Sequence, residues 1–346
     1  MTTTLDIAYS TLNDRQLPLV VSPVGNAPSS LEEVLTWAGS CQHELGSLLD
    51  RHGALLFRGL PVTSADDFSR FVQVFDGQVL DYIGGAVPRT RINQVVFSST
   101  ELPSFRRIRM HNELAYQKNY PDLIFFYCHQ AALKGGETPI VDSRQILKEL
   151  DPKVREKFVR AGVKYVRTFQ EKRAWRESLK KRIPLYQHLN WADAFQSTSR
   201  VDVENRCRER GLDFQWLPNG DLSVSNVLPA TIHHPRTGEA SWFNQAMLQH
   251  FNARSWDLPL YLFRSVLYPD RSRLPYQAYY GDGSPISKEE IYHVIDVTYR
   301  NTVEFAWRSG DVMLVENRLV AHGRNPFQGP RKVYVAMLKQ SEVAAI

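Results

Sequence analysis

The chain has few cysteines, and no pattern joins them. Cys41, Cys128 and Cys207 are an odd number, and no C-x-x-C pair occurs among the 346 residues. This argues against both a disulfide framework and a thiolate zinc site. Such sparing use of cysteine is typical of a protein that works in a reducing compartment.

The chain also lacks long apolar runs. No stretch of 18 consecutive apolar residues occurs, so the sequence predicts no membrane span. The first ten residues, MTTTLDIAYS, contain neither the basic nor the apolar region of a secretion signal. We therefore expect a cytoplasmic protein with no membrane partner.

A concentrated block of one charge is missing as well. The 42 basic and 37 acidic residues give a net charge of +5, and the basic residues are spread along the chain. This distribution argues against a nucleic-acid partner. The densest patch, EKRAWRESLKKR at 171–182, has the alternating charges of a solvated helix face. Docking of an acidic partner is the alternative interpretation of this patch.

What is present is the composition of a folded globule, with 43% hydrophobic and 11% aromatic residues. Ser30 and Glu33 form a capping-box pattern before a helix predicted to end near Arg51. Gly53 offers the stop, and the apolar run Ala54–Phe57 predicts a buried strand. A second helix is predicted after Ser64, with apolar residues at helical spacing, namely Phe68, Phe71, Val72 and Phe75.

Strand patterns flank a mixed, polar segment at about 143–241, which we interpret as a helical insertion in a single domain spanning 1–346. Within this segment, helices are predicted near 144–160 and 171–181, and strands at Val163–Thr168 and Leu222–Val227. Ser287 and Glu290 form a capping box before a later helix. The flanking strands are predicted at 124–128, 139–141, 303–307, 311–315 and 333–338. This order predicts a mostly β fold with flanking helices, a jelly roll closed by distant segments.

Candidate metal ligands lie in two distant segments. His111 and Glu113 are two residues apart, so on an extended strand their side chains point to the same face and can meet one metal ion. His322 lies between two predicted strands and is followed by Gly323, which permits close backbone approach. Two histidines and one carboxylate form the facial triad of non-haem Fe(II) sites, which leaves coordination positions open.

Such a site predicts a 2-oxo acid co-substrate and O₂ in the open positions. The far carboxylate of the co-substrate then needs a partner, and the forked guanidinium of an arginine fits it. Arg331 follows His322 at the start of the last predicted strand, and Thr138 offers a hydroxyl. Without the triad, Arg331 would be interpreted as a surface cation and Thr138 as a turn residue.

Several segments together resemble one enzyme family. They are RHGALLFRGLPVTSADDF (51–68), HNELAYQKNYPDLIFFYC (111–128), GGETPIVDSR (135–144), TGEASWFNQ (237–245), YGDG (280–283) and GDVMLVENRLVAHGRNPFQGPRKVYVAM (310–337). The chain resembles the taurine dioxygenase (TauD/TfdA) superfamily, in particular its clavaminate-synthase-like and syringomycin-type hydroxylases. The resemblance implies a double-stranded β-helix with Fe(II) as cofactor and 2-oxoglutarate and O₂ as co-substrates.

The resemblance also implies residue roles. His111, Glu113 and His322 would bind iron, and Thr138 and Arg331 would bind the distal carboxylate of 2-oxoglutarate. Two positions depart from the common family pattern. Many members carry Asp where this chain has Glu113. Many also carry a second arginine where this chain has Val335, and Lys332 and Arg324 are candidates to replace it.

For the prime substrate, the resemblance places Trp242, Asn244 and Gln245 near the iron. They would offer a stacking surface and two amides, which suit an amino-acid-like group. Burial in the core is the alternative for Trp242. Asn112 and Arg324, which neighbour iron ligands in the sequence, are further candidates for substrate contacts.

These observations predict an Fe(II)/2-oxoglutarate-dependent oxygenase that hydroxylates an unactivated carbon of an amino acid, or of a carrier-bound aminoacyl group, in natural-product biosynthesis. Desaturation or cyclisation by the same chemistry is one alternative. A catalytically idle jelly-roll binding protein is an alternative of another class. The expected partner is a small amino-acid-like molecule, free or tethered to an acidic carrier protein. The tethered form is suggested by basic clusters at Arg106, Arg107 and Arg109 and at 172–182.

Overall fold

A computed structural model describes residues 5–25, 28, 30–80, 90–99, 102–183, 186 and 188–340. The chain divides into two compact units. The first comprises Met1–Glu149, Ile232–Phe243 and Val297–Ile346, and the second comprises Leu150–Thr231 and Asn244–Asp296. No helix of the described residues is long and apolar enough to cross a membrane.

Runs of strands are separated by helices along the chain. The strands of the described residues, in order from β1 to β19, are Ile7–Thr11, Leu19–Pro23, Ala54–Phe57, Gln78–Val79, Phe97–Ser98, Ile108–His111, Leu123–Gln130, Lys134–Gly135, Ile140–Asp142, Val163–Phe169, Asp213–Trp216, Leu222–Leu228, Thr231–His233, Ala240–Trp242, Tyr276–Tyr280, Val312–Glu316, Val320–Arg324, Phe327–Gln328 and Lys332–Lys339. The helices, from α1 to α11, are Leu31–Ser40, Gln42–His52, Ala65–Val72, Ser143–Glu149, Pro152–Ala161, Ala174–Arg182, Trp191–Ala194, Arg200–Glu209, Ala246–Gln249, Leu258–Leu267 and Lys288–Arg300, with a 3₁₀ turn at Arg271–Arg273.

The first unit contains a large sheet in the order β1-β2-β3-β16-β7-β19-β4, with β5 also paired to β19. Its central strands are apolar on both faces, as expected for a sheet that is covered on both sides. On β7, for example, Phe125 and Tyr127 face one hydrophobic core while Ile124 and Phe126 face another. Helices α1, α2 and α3 supply the first core with residues such as Trp37.

The second core lies between this sheet and a smaller one of order β6-β17-β9. Ile140 and Val320 of the small sheet pack there with Met313 and Val335 of the large sheet. Two facing sheets built largely from antiparallel strands of distant segments form a jelly roll. The predicted fold class is therefore confirmed.

The second unit is built on a separate four-stranded antiparallel sheet, β11-β12-β10-β15. Its core includes Phe169, Val224 and Leu222 of the sheet, together with Trp191 of α7 and Val203 of α8. The segment predicted as an insertion, about 143–241, falls partly in this unit and partly in the first. The single-domain organisation stays a prediction.

Several local predictions are confirmed. The strand at Ala54–Phe57 has the predicted bounds, and Gly53 closes α2 in the left-handed conformation, with φ of 75°. Ser287 and Glu290 form the predicted capping box, in which each backbone N–H donates to the side chain of the other residue.

Three predicted elements are wrong in detail. The helix expected up to Arg51 is interrupted at Cys41, where the backbone leaves helical geometry. The helix expected at 144–160 is two helices, because Pro152 begins α5 and its ring disfavours a helical residue before it. The strand expected at 303–307 is an extended segment that pairs only at Val303, with Ile140. Its alternating apolar pattern reflects burial of alternate side chains, not strand pairing.

Candidate iron site

Pairing of two strands brings the distant histidines together. In the antiparallel register of β6 and β17, His111 lies opposite His322, and their ring centroids are 4.5 Å apart. Nε2 of His322 lies 3.6 Å from Oε2 of Glu113. One ligand atom from each of the three residues lies within 4.8 Å of the other two. This spacing suits three ligands of one metal ion.

Glu113 reaches this position from a turn and not from a strand. Strand β6 ends at His111, so the expected strand geometry for the pair is wrong. The chain turns directly after Glu113, where Leu114 adopts a left-handed conformation with φ of 54°. A non-glycine residue in this region is uncommon and is often found beside functional sites.

A hydrogen bond orients His111, and ring packing orients His322. Nδ1 of His111 lies 2.8 Å from the carbonyl oxygen of Arg109. A carbonyl can only accept, so Nδ1 carries the proton, and Nε2 keeps its lone pair for a metal. Phe126 packs against His322 with an edge-to-face geometry and a centroid distance of 5.0 Å. Gly323 is required beside His322, because a Cβ there would lie 2.7 Å from the carbonyl oxygen of Ile108.

The side chain of Asn317 holds the backbone at Glu113. Its amide oxygen accepts from the Glu113 N–H at 2.7 Å, and its amide nitrogen donates to the carbonyls of Glu113 at 3.0 Å and Pro121 at 2.8 Å. Asn112 strengthens the same connection by donating to the carbonyl of Asn317 at 2.7 Å. The turn that carries Glu113 is therefore fixed by buried amides.

A pocket opens beside the histidines. It is lined by Ser99, Ile108, His111, Phe126, Thr138, His322, Gly323, Arg324, Arg331, Val333 and Val335. Nε of Arg331 donates to the carbonyl of Gly136 at 2.9 Å. Gly136 has a positive φ of 77°, and a Cβ there would lie 3.0 Å from Cδ of Arg331. Glycine at this position therefore leaves room for the arginine.

The charge of this pocket is positive and incompletely balanced. Burial of the guanidinium, followed by the nearby positive charge of Arg324, lowers the pKa of Arg331 to about 10. Within the described residues, no carboxylate forms an ion pair with Arg331. A bound anion would offset the cost of holding this cation out of water.

The two candidates for the missing second arginine differ in location. Arg324 lines the pocket, but its guanidinium donates to the backbone carbonyls of Leu102, Pro103 and Arg106 at 2.9 to 3.1 Å. Burial, with the charge of Arg106 as the second cause, lowers the pKa of Arg324. Lys332 is exposed and does not line the pocket. Val335 contributes apolar surface to the pocket wall.

The predicted substrate residues are all buried and engaged within the protein. Nδ2 of Asn112 donates to Asn317 and, at 3.3 Å, to Oγ of Ser143. Trp242 is buried in β14 of the first unit and does not line the pocket. In the second unit, Asn244 donates to the carbonyl of Ala230, and Oε1 of Gln245 accepts from Gln249. Substrate contacts by these residues stay a prediction.

A second group of metal-type side chains lies in the first unit and has a different explanation. Asp50, His234 and Glu316 also bring ligand atoms within 4.8 Å of one another. However, Arg236 donates to both carboxylate oxygens of Asp50, and Arg318 donates to both of Glu316. The two guanidinium groups balance both carboxylates, so we interpret the group as a buried ionic network.

Sequence reasoning missed three residues around the site. Asn317 braces Glu113, Phe126 packs on His322, and Trp307 donates from its indole to Oγ1 of Thr138 at 3.1 Å. Asn317 and Trp307 lie in or near the matching segment 310–337, but their partners are distant in sequence. Only the fold shows that they belong to the site.

Comparisons with known proteins find similarity along most of the chain. Residues 15–337 match the family described as taurine catabolism dioxygenase TauD, TfdA family. The dapdiamide synthesis protein DdaC of Enterobacter agglomerans is 34% identical over 296 residues, which are 86% of this chain and 85% of that protein. A clavaminate synthase-like protein of Arabidopsis thaliana is 31% identical over 303 residues, with 86% and 85% covered.

Solved structures share the fold at lower identity. The crystal structure of PvcB from Pseudomonas aeruginosa is 18% identical, with a TM-score of 0.53, and the match covers 98% of this chain and 94% of PvcB. A second PvcB structure, that of an Fe, alpha-ketoglutarate dependent oxygenase from an isonitrile synthetic pathway, is 17% identical with a TM-score of 0.51 and coverage of 96% and 91%. These likenesses support the jelly-roll fold.

Proposed function

The chain belongs to the TauD/TfdA family of Fe(II)/2-oxoglutarate-dependent dioxygenases, and from this premise we propose that it hydroxylates an unactivated carbon of an amino-acid-like molecule in natural-product biosynthesis. The observation that carries the proposal is the cluster of His111, Glu113 and His322 beside a pocket that contains Arg331. The first three supply the iron ligands, and the last supplies a cation for the co-substrate.

The donor set fits Fe(II). Two imidazoles and one carboxylate are the ligands of non-haem Fe(II) oxygenases, and they leave positions for the co-substrate and O₂. When bound, the iron with 2-oxoglutarate and O₂ supplies the oxidising power that breaks a C–H bond. The protein fixes the geometry: Arg109 selects the His111 tautomer, and Asn317 holds the Glu113 turn.

The pocket fits 2-oxoglutarate. Arg331 offers its guanidinium to the distal carboxylate, and Thr138 offers a hydroxyl to the same group. Ile108, Val333 and Val335 form apolar walls that keep water from the chain of the co-substrate. Low polarity around the carboxylate strengthens its attraction to Arg331.

The substrate class is supported by the relatives. DdaC takes part in dapdiamide synthesis, PvcB belongs to an isonitrile synthetic pathway, and another relative is named clavaminate synthase-like. All three descriptions are compatible with small, nitrogen-containing substrates. Hydroxylation, desaturation and cyclisation all begin with loss of one substrate hydrogen, and we propose hydroxylation as the outcome.

Substrate-dependent succinate formation tests the proposal. The purified protein would be supplied with Fe(II), 2-oxoglutarate and O₂, and screened against free amino acids, aminoacyl amides and carrier-tethered aminoacyl groups. We expect one class to accelerate succinate release and to gain one oxygen atom by mass spectrometry. The Glu113→Ala variant is the matched control for iron-independent turnover. A protein that binds iron and 2-oxoglutarate but accelerates for no member of the panel would contradict the substrate class.

A second candidate is the same substrate tethered to an acidic carrier protein, and the charge of 171–182 bears on it. Four cations of this stretch are already paired with acids: Lys172 with Asp193, Arg173 with Glu171, Arg176 with Asp221 and Lys180 with Glu177. Lys181 and Arg182 are exposed and form no ion pair within the described residues. These two residues are the part of the cluster that can attract an acidic partner.

A further inference from the structure

The hydroxyl of Thr138 has one hydrogen-bond partner among the described residues, the indole nitrogen of Trp307. Nε1 of Trp307 lies 3.1 Å from Oγ1 of Thr138, and both side chains are buried. Thr138 also lines the pocket beside His111 and His322. The hydroxyl is therefore held by Trp307 on a residue that borders the pocket.

The direction of the hydroxyl proton follows from the chemistry of the partner. An indole N–H can only donate, whereas a threonine hydroxyl can both accept and donate. Oγ1 of Thr138 must accept from Trp307, so its own O–H remains available to donate. A hydroxyl held in this way is preset to donate to an anion in the pocket.

The backbone holds both partners in register. Val303 and Ile140 exchange two backbone hydrogen bonds, of 2.8 and 3.0 Å, at the single bridge between their segments. Ile140 follows Thr138 closely in the chain, and Val303 shortly precedes Trp307. This bridge explains why the extended segment 303–307 lies beside the pocket although it forms no strand.

We propose that Trp307 is a positioning residue for 2-oxoglutarate, which acts by presetting Thr138 as a hydrogen-bond donor to the distal carboxylate. This proposal rests on the proposed function, because it requires that the pocket hold that carboxylate. Trp307 does not need to touch the co-substrate. Its indole also packs on Phe305, with a centroid distance of 5.2 Å, so a role in the core alone is the competing explanation.

A double-mutant cycle on 2-oxoglutarate binding separates the two roles. Binding would be measured by calorimetry on anaerobic, Fe(II)-loaded protein, which requires no turnover. A hydrogen bond to a charged group contributes enough binding free energy that its loss in Thr138→Val should weaken 2-oxoglutarate binding about 10- to 100-fold. We expect Trp307→Phe, which keeps an aromatic ring but removes the N–H, to weaken binding about 3- to 10-fold with iron affinity unchanged.

The decisive comparison is Trp307→Phe in the Thr138→Val background. If Trp307 acts through the hydroxyl, Trp307→Phe should weaken 2-oxoglutarate binding by less than about 2-fold in protein that already carries Thr138→Val, because the effects of coupled residues are not additive. Equal weakening in both backgrounds, or no weakening by Trp307→Phe alone, overturns the proposal. Phe305→Leu is the matched control for loss of packing in the same segment, and it should leave 2-oxoglutarate affinity unchanged.

Two further arms keep the result decisive. If Trp307→Phe does not fold, 3-benzothienylalanine at position 307 keeps the shape of the indole and lacks the N–H. Thr138→Ser retains the hydroxyl and should restore most of the binding lost in Thr138→Val. Failure of the wild-type protein to bind 2-oxoglutarate in the presence of Fe(II) would contradict the proposed function itself, which distinguishes that outcome from failure of the Trp307 proposal.

Discussion

The amide of Asn317 forms hydrogen bonds with both backbone groups of Glu113, accepting from the N–H at 2.7 Å and donating to the carbonyl at 3.0 Å. This pair links the segment before β17, the strand of His322, to the turn of Glu113, the proposed acidic ligand. Because Leu114 directly after Glu113 has a left-handed backbone, the turn needs such support to remain in place. In the proposed iron site, the position of Glu113 therefore depends on Asn317, which is not one of the three proposed ligands.

We expect Asn317→Ala to weaken Fe(II) affinity about 10- to 100-fold, as is typical when a residue that supports metal ligands is lost. The reason is that Glu113 loses two backbone hydrogen bonds and Pro121 loses one, while His111, Glu113 and His322 all remain. Competition with a metal-sensitive dye under anaerobic conditions measures the affinity.

Loss of overall stability must be separated from this effect. Asn301→Ala removes a buried asparagine at the end of α11 and is the matched control. Urea unfolding of both variants gives their stabilities. Similar losses of iron affinity in the two variants would contradict the positioning role of Asn317.

Replacing His111, Glu113 or His322 by Ala should abolish iron binding and succinate formation. A facial triad has no spare protein ligand, so the loss of one leaves the ion with two protein ligands. Metal content after anaerobic loading and dialysis checks this, with circular dichroism as evidence that the fold is retained. His43→Ala, which removes an exposed histidine of α2, is the control. Wild-type iron content in all three variants would show that the metal lies elsewhere.

Arg331→Ala should weaken 2-oxoglutarate binding by about 10²- to 10³-fold or more, because removing one partner of a buried charge pair typically costs about 3–5 kcal/mol. Iron affinity should change little, since Arg331 is not a ligand. Calorimetric titration of the anaerobic Fe(II) form measures both quantities. Unchanged 2-oxoglutarate affinity would move the anchor to another cation of the pocket, with Arg324 the next residue to replace.

Affinity for 2-oxoglutarate should depend on pH through the same residue. The pKa of Arg331 is lowered to about 10 by burial and by Arg324. The guanidinium is therefore charged at neutral pH, and the attraction is lost as pH rises through about 10. Binding of 2-oxoglutarate favours the charged guanidinium, so binding raises the pKa of Arg331. At alkaline pH, binding is therefore accompanied by uptake of protons by the protein. Titrations between pH 7 and 10.5, accepted only where circular dichroism shows folded protein, should reveal the decline. A 2-oxoglutarate affinity that is constant up to pH 10.5 would contradict this dependence on the charge of Arg331.

Much of the fold could be predicted because local patterns carry it. The apolar run at Ala54–Phe57 and the capping box at Ser287 and Glu290 depend on neighbouring residues, and both are confirmed. The segment 303–307 shows the limit of such patterns. Alternation of apolar residues indicates which side chains are buried, but it does not show whether a neighbouring backbone edge is available for pairing.

The site could be predicted in part for the same reason. His111 and Glu113 are close in sequence, and His322 lies in a segment that resembles the family, so the three could be proposed together. The residues that support the site could not be predicted, because Asn317 contacts Glu113, and Trp307 contacts Thr138, from distant parts of the chain. An asparagine or tryptophan in a core segment has no local feature that reveals its partner, and only the pairing of distant segments supplies one.

The charge of α6 gives a test of substrate delivery. Lys181→Glu with Arg182→Glu reverses the two exposed cations of the 171–182 stretch that form no ion pair within the described residues. If the substrate arrives on an acidic carrier protein, we expect kcat/KM for the tethered substrate to fall several-fold at low salt and to approach the wild-type value at high salt. Charges at the rim of an interface mainly affect association, and salt screens them over about 10 Å at 0.1 M.

The free amino acid provides the internal control for the same variant, because a small zwitterion is attracted little by two surface charges, and its kcat/KM should be unchanged. Lys148→Glu with Lys153→Glu makes the same change in net charge at exposed positions outside the stretch and should leave both substrates unaffected. A salt-dependent loss confined to the tethered substrate and to the α6 variant supports carrier delivery. Equal activity of wild type and α6 variant on the tethered substrate contradicts docking at this helix, but it leaves the iron site proposed at His111, Glu113 and His322 untouched.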